Sequence, residues 1–236
     1  MPTIEALDLL ALWERGVSRH ALDRSALLCA RARPELPVEA IADLPLGEVS
    51  TGLLELRAAW FGDRIQAHVD CRHCGERLGL TVAVPDLVRP RAGRVARDAA
   101  AAGVGCRPPC LRDLAAVARE RDPSRAARQL LARCRLDAAA GDPADLPDAA
   151  LRAIEDALEE ADPNADLAFD VSCEACGRSG TAQLDAGELL WDEVDAGARA
   201  LLADVHLLAG AYGWSEREIL ALRPERRASY VSMVAR

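Results

Sequence analysis

The sequence contains no lysine, so all 29 of its basic residues are arginine. Lysine-dependent chemistry, such as Schiff-base formation and the lysine contact to phosphate in nucleotide-binding loops, is therefore excluded. Aromatic residues are also scarce, at 3% of the chain. We interpret the abundance of arginine, alanine and leucine mainly as a coding bias, such as that of a GC-rich genome.

Long apolar runs are absent as well. No stretch approaches the roughly 18 apolar residues that a membrane-spanning helix needs, and the first residues, MPTIEALDLL, lack the segments typical of a signal peptide. We therefore expect a cytoplasmic protein with no membrane contact. In that compartment the eight cysteines are more typical of free thiols or metal ligands than of disulfides.

The motifs of the common enzyme classes are missing too. The sequence has no Walker loop, no dinucleotide fingerprint, no nucleophile elbow and no H-E-x-x-H motif. A formal net charge of −9 disfavours broad adhesion to nucleic acid or to an anionic membrane. We predict that the protein is not an enzyme and has no small-molecule substrate.

Two hydrophobic periods alternate along the chain. Helical periodicity dominates an N-terminal region (1–63), an insertion (87–165) and a C-terminal region (186–236). In 64–86 and 166–185, apolar residues instead alternate with polar ones, as in the half-buried strands of hairpins. We predict a mainly α protein with a small β part, an α+β fold, in which the two hairpins form one discontinuous zinc ribbon around the helical insertion.

Caps and stop signals set the expected helix boundaries. Ser215 and Glu218 form a capping box near the C-terminus, where Trp214 and Ile219 are placed to make a hydrophobic staple. Arg89–Arg97 is predicted to be an exposed basic linker. The other predicted helices cover residues 18–33, 47–61, 111–121, 124–136, 146–161 and 186–211.

Each predicted hairpin turns through a C-x-x-C-G sequence, CRHCG in the first and CEACG in the second. Four thiolates bind zinc tetrahedrally and leave no position open for a substrate. The glycine after each pair can adopt the left-handed conformation that turns backbone N–H groups toward sulfur. The 98 residues between the two pairs can be filled by the helical insertion. We predict one structural Zn²⁺, bound by Cys71, Cys74, Cys173 and Cys176.

Other interpretations of the cysteines compete with this one. Redox C-x-x-C pairs of the thioredoxin type lie between a strand and a helix, whereas here a strand is expected after both pairs. His73 could replace one ligand, although an exposed turn residue is the simpler expectation. A second metal site from Cys106, Cys110 and Cys134 is a weaker hypothesis, because free cysteine is a common core residue. We expect no catalytic or metal role for His20, His68, His206, Glu155, Asp156, Glu159 and Glu160.

Several blocks of the sequence resemble a known family. They are LPLGEVSTGLLELRAAWFG, CRHCGERL, DPNADLAFDVSCEACG, LLWDEVDAGARALLADVHLLA and YGWSEREILALRPERRASYV. These blocks resemble a zinc-ribbon baseplate protein of contractile tails. Members of that family are encoded with phage-like extracellular contractile injection systems and are distantly related to a baseplate-hub assembly protein of the T-even phages. The segment GVGCRPPCLRDLAAVA departs from the family pattern, since Cys110 stands where members tend to have a small polar residue.

The resemblance implies a structural or chaperone-like component of the baseplate hub, with hub or tail proteins as its partners and the four cysteines as its zinc ligands. It also implies incorporation into a phage-like particle as one fate of the protein. The alternative hypothesis is a zinc-ribbon regulator that binds nucleic acid, since a capped helix followed by a basic helix at the C-terminus could imitate a helix-turn-helix.

Overall fold

The computed structural model describes residues 4–89, 99–101, 104–136 and 146–234. Helices predominate, and the described strands pair into small antiparallel hairpins, which confirms the α+β class. In chain order the elements are α1 (Ala6–Gly16), α2 (Ala21–Ala32), α3 (Val38–Ile41), α4 (Leu46–Phe61), β1 (Arg64–Asp70), β2 (Arg77–Ala83), α5 (Val84–Leu87), β3 (Ala99–Ala101), β4 (Val104–Cys106), α6 (Leu111–Val117), α7 (Pro123–Cys134), α8 (Asp148–Ala161), β5 (Leu167–Ser172), β6 (Ser179–Leu184), α9 (Ala186–Tyr212), α10 (Glu216–Leu220) and α11 (Pro224–Val234).

The main core is formed where α1, α2 and α4 pack on α9. Leu28 of α2, Leu53 of α4 and Leu190 of α9 are each at most 1% exposed. The first residues of both predicted hairpins join this core, because Ile65 and Leu167 are buried in the same cluster. The N-terminal and C-terminal helical regions therefore share one hydrophobic core, and the first strand of each hairpin packs into it.

Helix α9 is the longest element and runs through this core. Its N-terminus is capped by Asp185, whose carboxylate accepts hydrogen bonds from the N–H groups of Gly187 and Glu188. Its C-terminus is closed by Gly213, which has a left-handed φ of 68°. On the apolar face of α9, Val194, Leu201 and Leu208 are buried and Val205 is half-buried, whereas Tyr212 at the end of the helix is 41% exposed.

The predicted hairpins are present as β1–β2 and β5–β6, each an isolated two-stranded antiparallel sheet. In β1 the buried or half-buried residues are Ile65, Ala67 and Val69, as the alternation predicts. No strand of one hairpin is hydrogen-bonded to a strand of the other within the described residues. The two hairpins instead meet through the loops that connect their strands.

The insertion carries a second, smaller core. Val104, Cys106, Leu131 and Ile154 are buried together between β4, α7 and α8. The β3–β4 hairpin is not predicted by the sequence, because its strands have only three residues each and one is all alanine. Most of the predicted linker, residues 90–97, lies outside the described residues.

The helix boundaries differ from the predictions by a few residues. Helix α2 begins only at Ala21, because the ring of His20 accepts a hydrogen bond from the N–H of Leu22 and caps the helix. Helix α6 ends at Val117 and α7 at Cys134, earlier than predicted. None of the helices in the described ranges combines the length and apolarity that crossing a membrane requires.

The C-terminal capping box is confirmed. The N–H of Ser215 donates to Glu218 Oε2 at 2.8 Å, and the N–H of Glu218 donates to Ser215 Oγ at 3.4 Å. The ring of Trp214 stacks on Tyr212 at 4.8 Å and meets Tyr230 edge-on at 4.9 Å. This aromatic cluster joins the end of α9 to α11.

Candidate metal centre

The loops of the two hairpins place all four predicted ligands. Strand β1 ends at Asp70, which is paired with Arg77 of β2, so Cys71 is the first residue of the connecting loop. In the second hairpin Ser172 is paired with Ser179, and Cys173 occupies the same first position. Both loops therefore begin at a cysteine directly after a strand and return six residues later.

The two loops have the same backbone hydrogen bonds. In the first, the N–H of Gly75 donates to the carbonyl of Cys71 and the N–H of Cys71 donates to the carbonyl of Glu76, each at 2.8 Å. In the second, the matching bonds join Gly177 to Cys173 at 2.8 Å and Cys173 to Arg178 at 2.9 Å.

The glycines after the cysteine pairs adopt the predicted conformation. Gly75 has a φ of 75° and Gly177 a φ of 70°, both in the left-handed region that glycine enters without strain. Each loop can therefore close immediately after its second cysteine.

The four sulfur atoms converge on one point. The Sγ atoms of Cys71 and Cys176 lie 3.8 Å apart, and those of Cys74 and Cys173 lie 3.6 Å apart. All four lie within 4.8 Å of one another. Within the part of the chain that the structure describes, this is the one group of three or more cysteine, histidine or acidic side chains whose atoms are arranged to hold a metal ion.

Each loop contributes one buried and one exposed cysteine. Cys71 and Cys173 are buried, whereas Cys74 and Cys176 face solvent. The ring of His73, on the first loop, lies with its Nδ1 atom 3.2 Å from an Nη1 atom of Arg178 on the second. Because Cys74 and Cys176 are exposed, the cluster lies at the protein surface.

Backbone N–H groups make the site favourable for negative charge. The N–H groups of His73 and Cys74 point at the sulfur of Cys71 and lower the pKa of this thiol to about 6. The N–H of Glu76 acts on Cys74 in the same direction, but partial loss of hydration and the hydrogen bonds with the neighbouring thiols outweigh it and raise the pKa of Cys74 to about 12. Four thiols this close cannot all ionise unaided, and a cation would allow all four to become thiolates.

The donor set is therefore suited to a soft, tetrahedral metal ion. Four thiolates are the ligands of structural zinc sites and of some iron centres. Within the described residues, no fifth cysteine, histidine or acidic side chain joins the four sulfurs. The cluster can hold one metal ion in a closed shell.

Both hairpins are attached to helix α4 by polar side chains that the sequence did not single out. Arg57 is 4% exposed; it donates to Glu193 of α9 at 2.6 Å and to the carbonyl of Arg64, the first residue of β1, at 2.8 Å. The only sequence signal is a charged residue inside an apolar helix, LLELRAAWF.

The second hairpin is attached at the opposite end of α4. Asp162 accepts a hydrogen bond from the N–H of Gly47, in the first turn of α4, at 2.8 Å. The side chain of Asn164 accepts from the N–H of Arg89 at 2.9 Å and donates to Thr51 at 3.2 Å. The segment DPNAD, which follows α8, therefore anchors the start of β5 to α4.

The remaining histidines and acidic residues lie apart from the metal centre. His68 and His206 are exposed, and His20 caps α2. The acidic side chains of α8 form an exposed face, as expected, and comprise Glu155, Asp156, Glu159 and Glu160.

The second cysteine group is buried around a charged network. Cys106, Cys110 and Cys134 are at most 4% exposed. The carboxylate of Asp113, 1% exposed, accepts hydrogen bonds from Arg107 at 2.6 Å and from the Cys110 thiol at 3.1 Å. This arrangement gives no support to a second metal site.

Burial and charge keep these thiols protonated. Burial raises the pKa of Cys106 and Cys110, and it raises the pKa of Cys134 to about 12. Arg133 of α7 also donates to Asp113, at 3.0 Å, so the network ties the loop before α6 to both α6 and α7.

The chain matches no protein-family model, no characterised protein and no solved structure.

Proposed function

We propose that this protein is a non-catalytic structural or assembly component of the baseplate hub of a contractile tail or injection system, held together by one structural zinc ion. The observation that carries the zinc proposal is the convergence of four cysteine sulfurs from two loops within 4.8 Å. Its sequence resemblance to a baseplate family carries the rest.

The metal is proposed to be zinc in a structural role. A zinc ion bound by four thiolates has no coordination position for water or substrate, so it is unsuited to catalysis. Cys74 and Cys173 are 99 positions apart in sequence, and a metal ion between them would fasten both hairpins together. The proposed role of the ion is therefore to stabilise the fold by joining the two hairpins, and we call this link the metal clasp.

The partners are proposed to be hub or tail proteins, contacted through the aromatic cluster of Tyr212, Trp214 and Tyr230. This cluster lies in YGWSEREILALRPERRASYV, one of the blocks that carry the resemblance. Tyr212 is 41% exposed, and Met233 nearby in sequence is 62% exposed. Tyrosine, tryptophan and methionine are enriched in protein interfaces. The protein would be made in the cytoplasm and would act there or in the assembled particle.

Particle assembly tests the proposal. In a host that produces the particles, deletion of the gene should leave tails with missing or malformed baseplates in electron micrographs. Complementation with the wild-type gene should restore them, whereas Cys71→Ser with Cys173→Ser should not. Glu174→Gln, an exposed change inside the same loop, is the matched control and should complement fully. Normal particles without the gene would refute the baseplate role.

The nucleic-acid hypothesis is separated by a direct binding measurement. Helix α10 has only five residues, Glu216–Leu220, which is short for a helix that supports a recognition helix in a groove. We expect no mobility shift with DNA or RNA at physiological ionic strength. A shift that weakens as salt rises would instead support the regulator.

A further inference from the structure

The cysteines of the metal centre make sulfur contacts from one hairpin to the other. Two sulfur–sulfur distances, 3.6 Å and 3.8 Å, run between the hairpins. Neither joins the two cysteines of one C-x-x-C sequence. Each close pair also combines one exposed with one buried cysteine, namely Cys176 with Cys71 and Cys74 with Cys173.

We propose that the four-cysteine cluster is also a peroxide-oxidation site. Two disulfides, Cys71–Cys176 and Cys74–Cys173, form there between the hairpins and link them in place of the metal ion. This inference rests on the proposed metal clasp. It adds an oxidised, metal-free form of the protein in which disulfides, instead of the metal ion, join the same two loops.

The chemistry balances with hydrogen peroxide as the oxidant. One sulfur of a pair attacks one peroxide oxygen as a thiolate, the O–O bond breaks, and a sulfenic acid and hydroxide form. The partner thiolate then attacks that sulfur, the S–S bond forms, and the sulfenic oxygen leaves as a second hydroxide. Two thiolates have lost two electrons and one peroxide has gained them. Repeating this at the second pair removes all four ligands and frees the metal ion.

Both hairpins are anchored on α4 at their bases. Arg57 donates to the carbonyl of Arg64 at the start of β1, and Asp162, ahead of β5, accepts from the N–H of Gly47 at the opposite end of α4. In the loops, each exposed cysteine has a buried partner on the other hairpin. An exposed cysteine next to a second cysteine is typical of redox-sensitive sites.

Disulfide mapping tests the pairing on the wild-type chain. The protein is stripped of metal with a chelator, treated with hydrogen peroxide, alkylated and digested with trypsin and a glutamate-specific protease. Cleavage after Arg72 and Glu174 places each of the four cysteines in a separate peptide. Mass spectrometry should find Cys71 linked to Cys176 and Cys74 linked to Cys173. Links within a loop, the other cross-pairing, links between chains or over-oxidised sulfinic acids would each overturn the proposal.

Thermal unfolding provides the second readout. The oxidised, metal-free protein should unfold at a higher temperature than the reduced, metal-free protein, and dithiothreitol should reverse the shift. If the oxidised and the reduced metal-free proteins unfolded at the same temperature, the disulfides would not be replacing the metal ion as the link between the hairpins. Metal content is measured separately on untreated protein, so failure of the zinc proposal and failure of the oxidation proposal give different results.

Discussion

Seven of the eight cysteines form two groups that the fold treats in opposite ways. Four lie on surface loops, where their sulfurs face one another and backbone N–H groups point at them. Three lie inside the insertion, where Cys110 donates its proton to the buried carboxylate of Asp113. The backbone N–H groups of the first loop favour a thiolate at Cys71, whereas burial in the interior favours thiols. Backbone geometry and the charge next to the sulfur, rather than the number of cysteines, separate a metal centre from core packing.

The largest effect should come from removing one cysteine of each loop. Cys71→Ser with Cys173→Ser should reduce bound zinc from about one equivalent to none and should loosen both hairpins. Structural zinc sites contribute on the order of 10 kcal/mol of binding free energy to folding. Metal analysis and thermal unfolding measure the two effects.

The buried group supplies the matched control. Cys106→Ala with Cys134→Ala removes the same number of thiols and should lower stability through lost packing, but leave the zinc content unchanged. If the buried pair proved necessary for metal and the loop pair did not, the distinction between the two groups would be wrong.

A smaller loss of stability is expected from Asp113→Asn. The carboxylate is 1% exposed and accepts hydrogen bonds from two arginines that are 37% and 40% exposed. Because hydrogen bonds to charged groups contribute about 1.5–3 kcal/mol and the arginines keep some water, we expect a loss of about 2–4 kcal/mol in urea unfolding. The zinc content should not change.

The control for this change is Asp43→Asn, which breaks an exposed ion pair with Arg112. Such pairs contribute little to stability, so this variant should unfold close to the wild type. Equal effects of the two changes would argue that the Asp113 network is not important for folding.

The same carboxylate predicts a pH dependence. Burial alone would raise the pKa of Asp113, but the hydrogen bonds from Arg107 and Cys110 outweigh it and hold this pKa well below its ordinary value. Since the folded-state pKa is the lower one, the stabilisation is complete above about pH 4 and is lost as the pH falls below that value.

The measurement is the difference in unfolding free energy between wild type and Asp113→Asn, followed from about pH 6 to pH 3. Loss of metal in acid affects both proteins and cancels in this difference, which should narrow toward low pH. A difference that stays constant would show that the charge of Asp113 is not its cause.

The smallest effect should come from the loop glycines. Gly177→Ala places a side chain at a φ of 70°, which costs about 1–2 kcal/mol. A Cβ atom at Gly177 or at Gly180 of β6 would have no atom within 4 Å, and only Gly177 has a positive φ. Gly180→Ala should therefore be close to neutral, while Gly177→Ala should lower both the unfolding temperature and the zinc affinity in a chelator competition.

The metal centre could be predicted from the sequence because its determinants are local. Each C-x-x-C-G sequence specifies its own loop, and the alternation of Ile65, Ala67 and Val69 shows where the strand lies. Repetition of the same pattern then indicates that two loops form one site. The identity of the metal and the role of the protein stay predictions.

The supports of that centre could not be predicted, because their partners are distant in sequence. Arg57 contacts Glu193, 136 positions away, and Asp162 contacts Gly47, 115 positions away. Neither pair leaves a periodic signal. The β3–β4 hairpin escaped prediction for another reason: Ala99–Ala101 has no alternation, and alanine favours helix.

X-ray absorption spectroscopy of the protein as purified tests the central claim most directly. We predict about one zinc ion per chain, surrounded by four sulfur atoms at about 2.3 Å, with no nitrogen or oxygen ligand. Protein without bound metal, or zinc with fewer than four sulfur ligands, would contradict the closed clasp formed by Cys71, Cys74, Cys173 and Cys176.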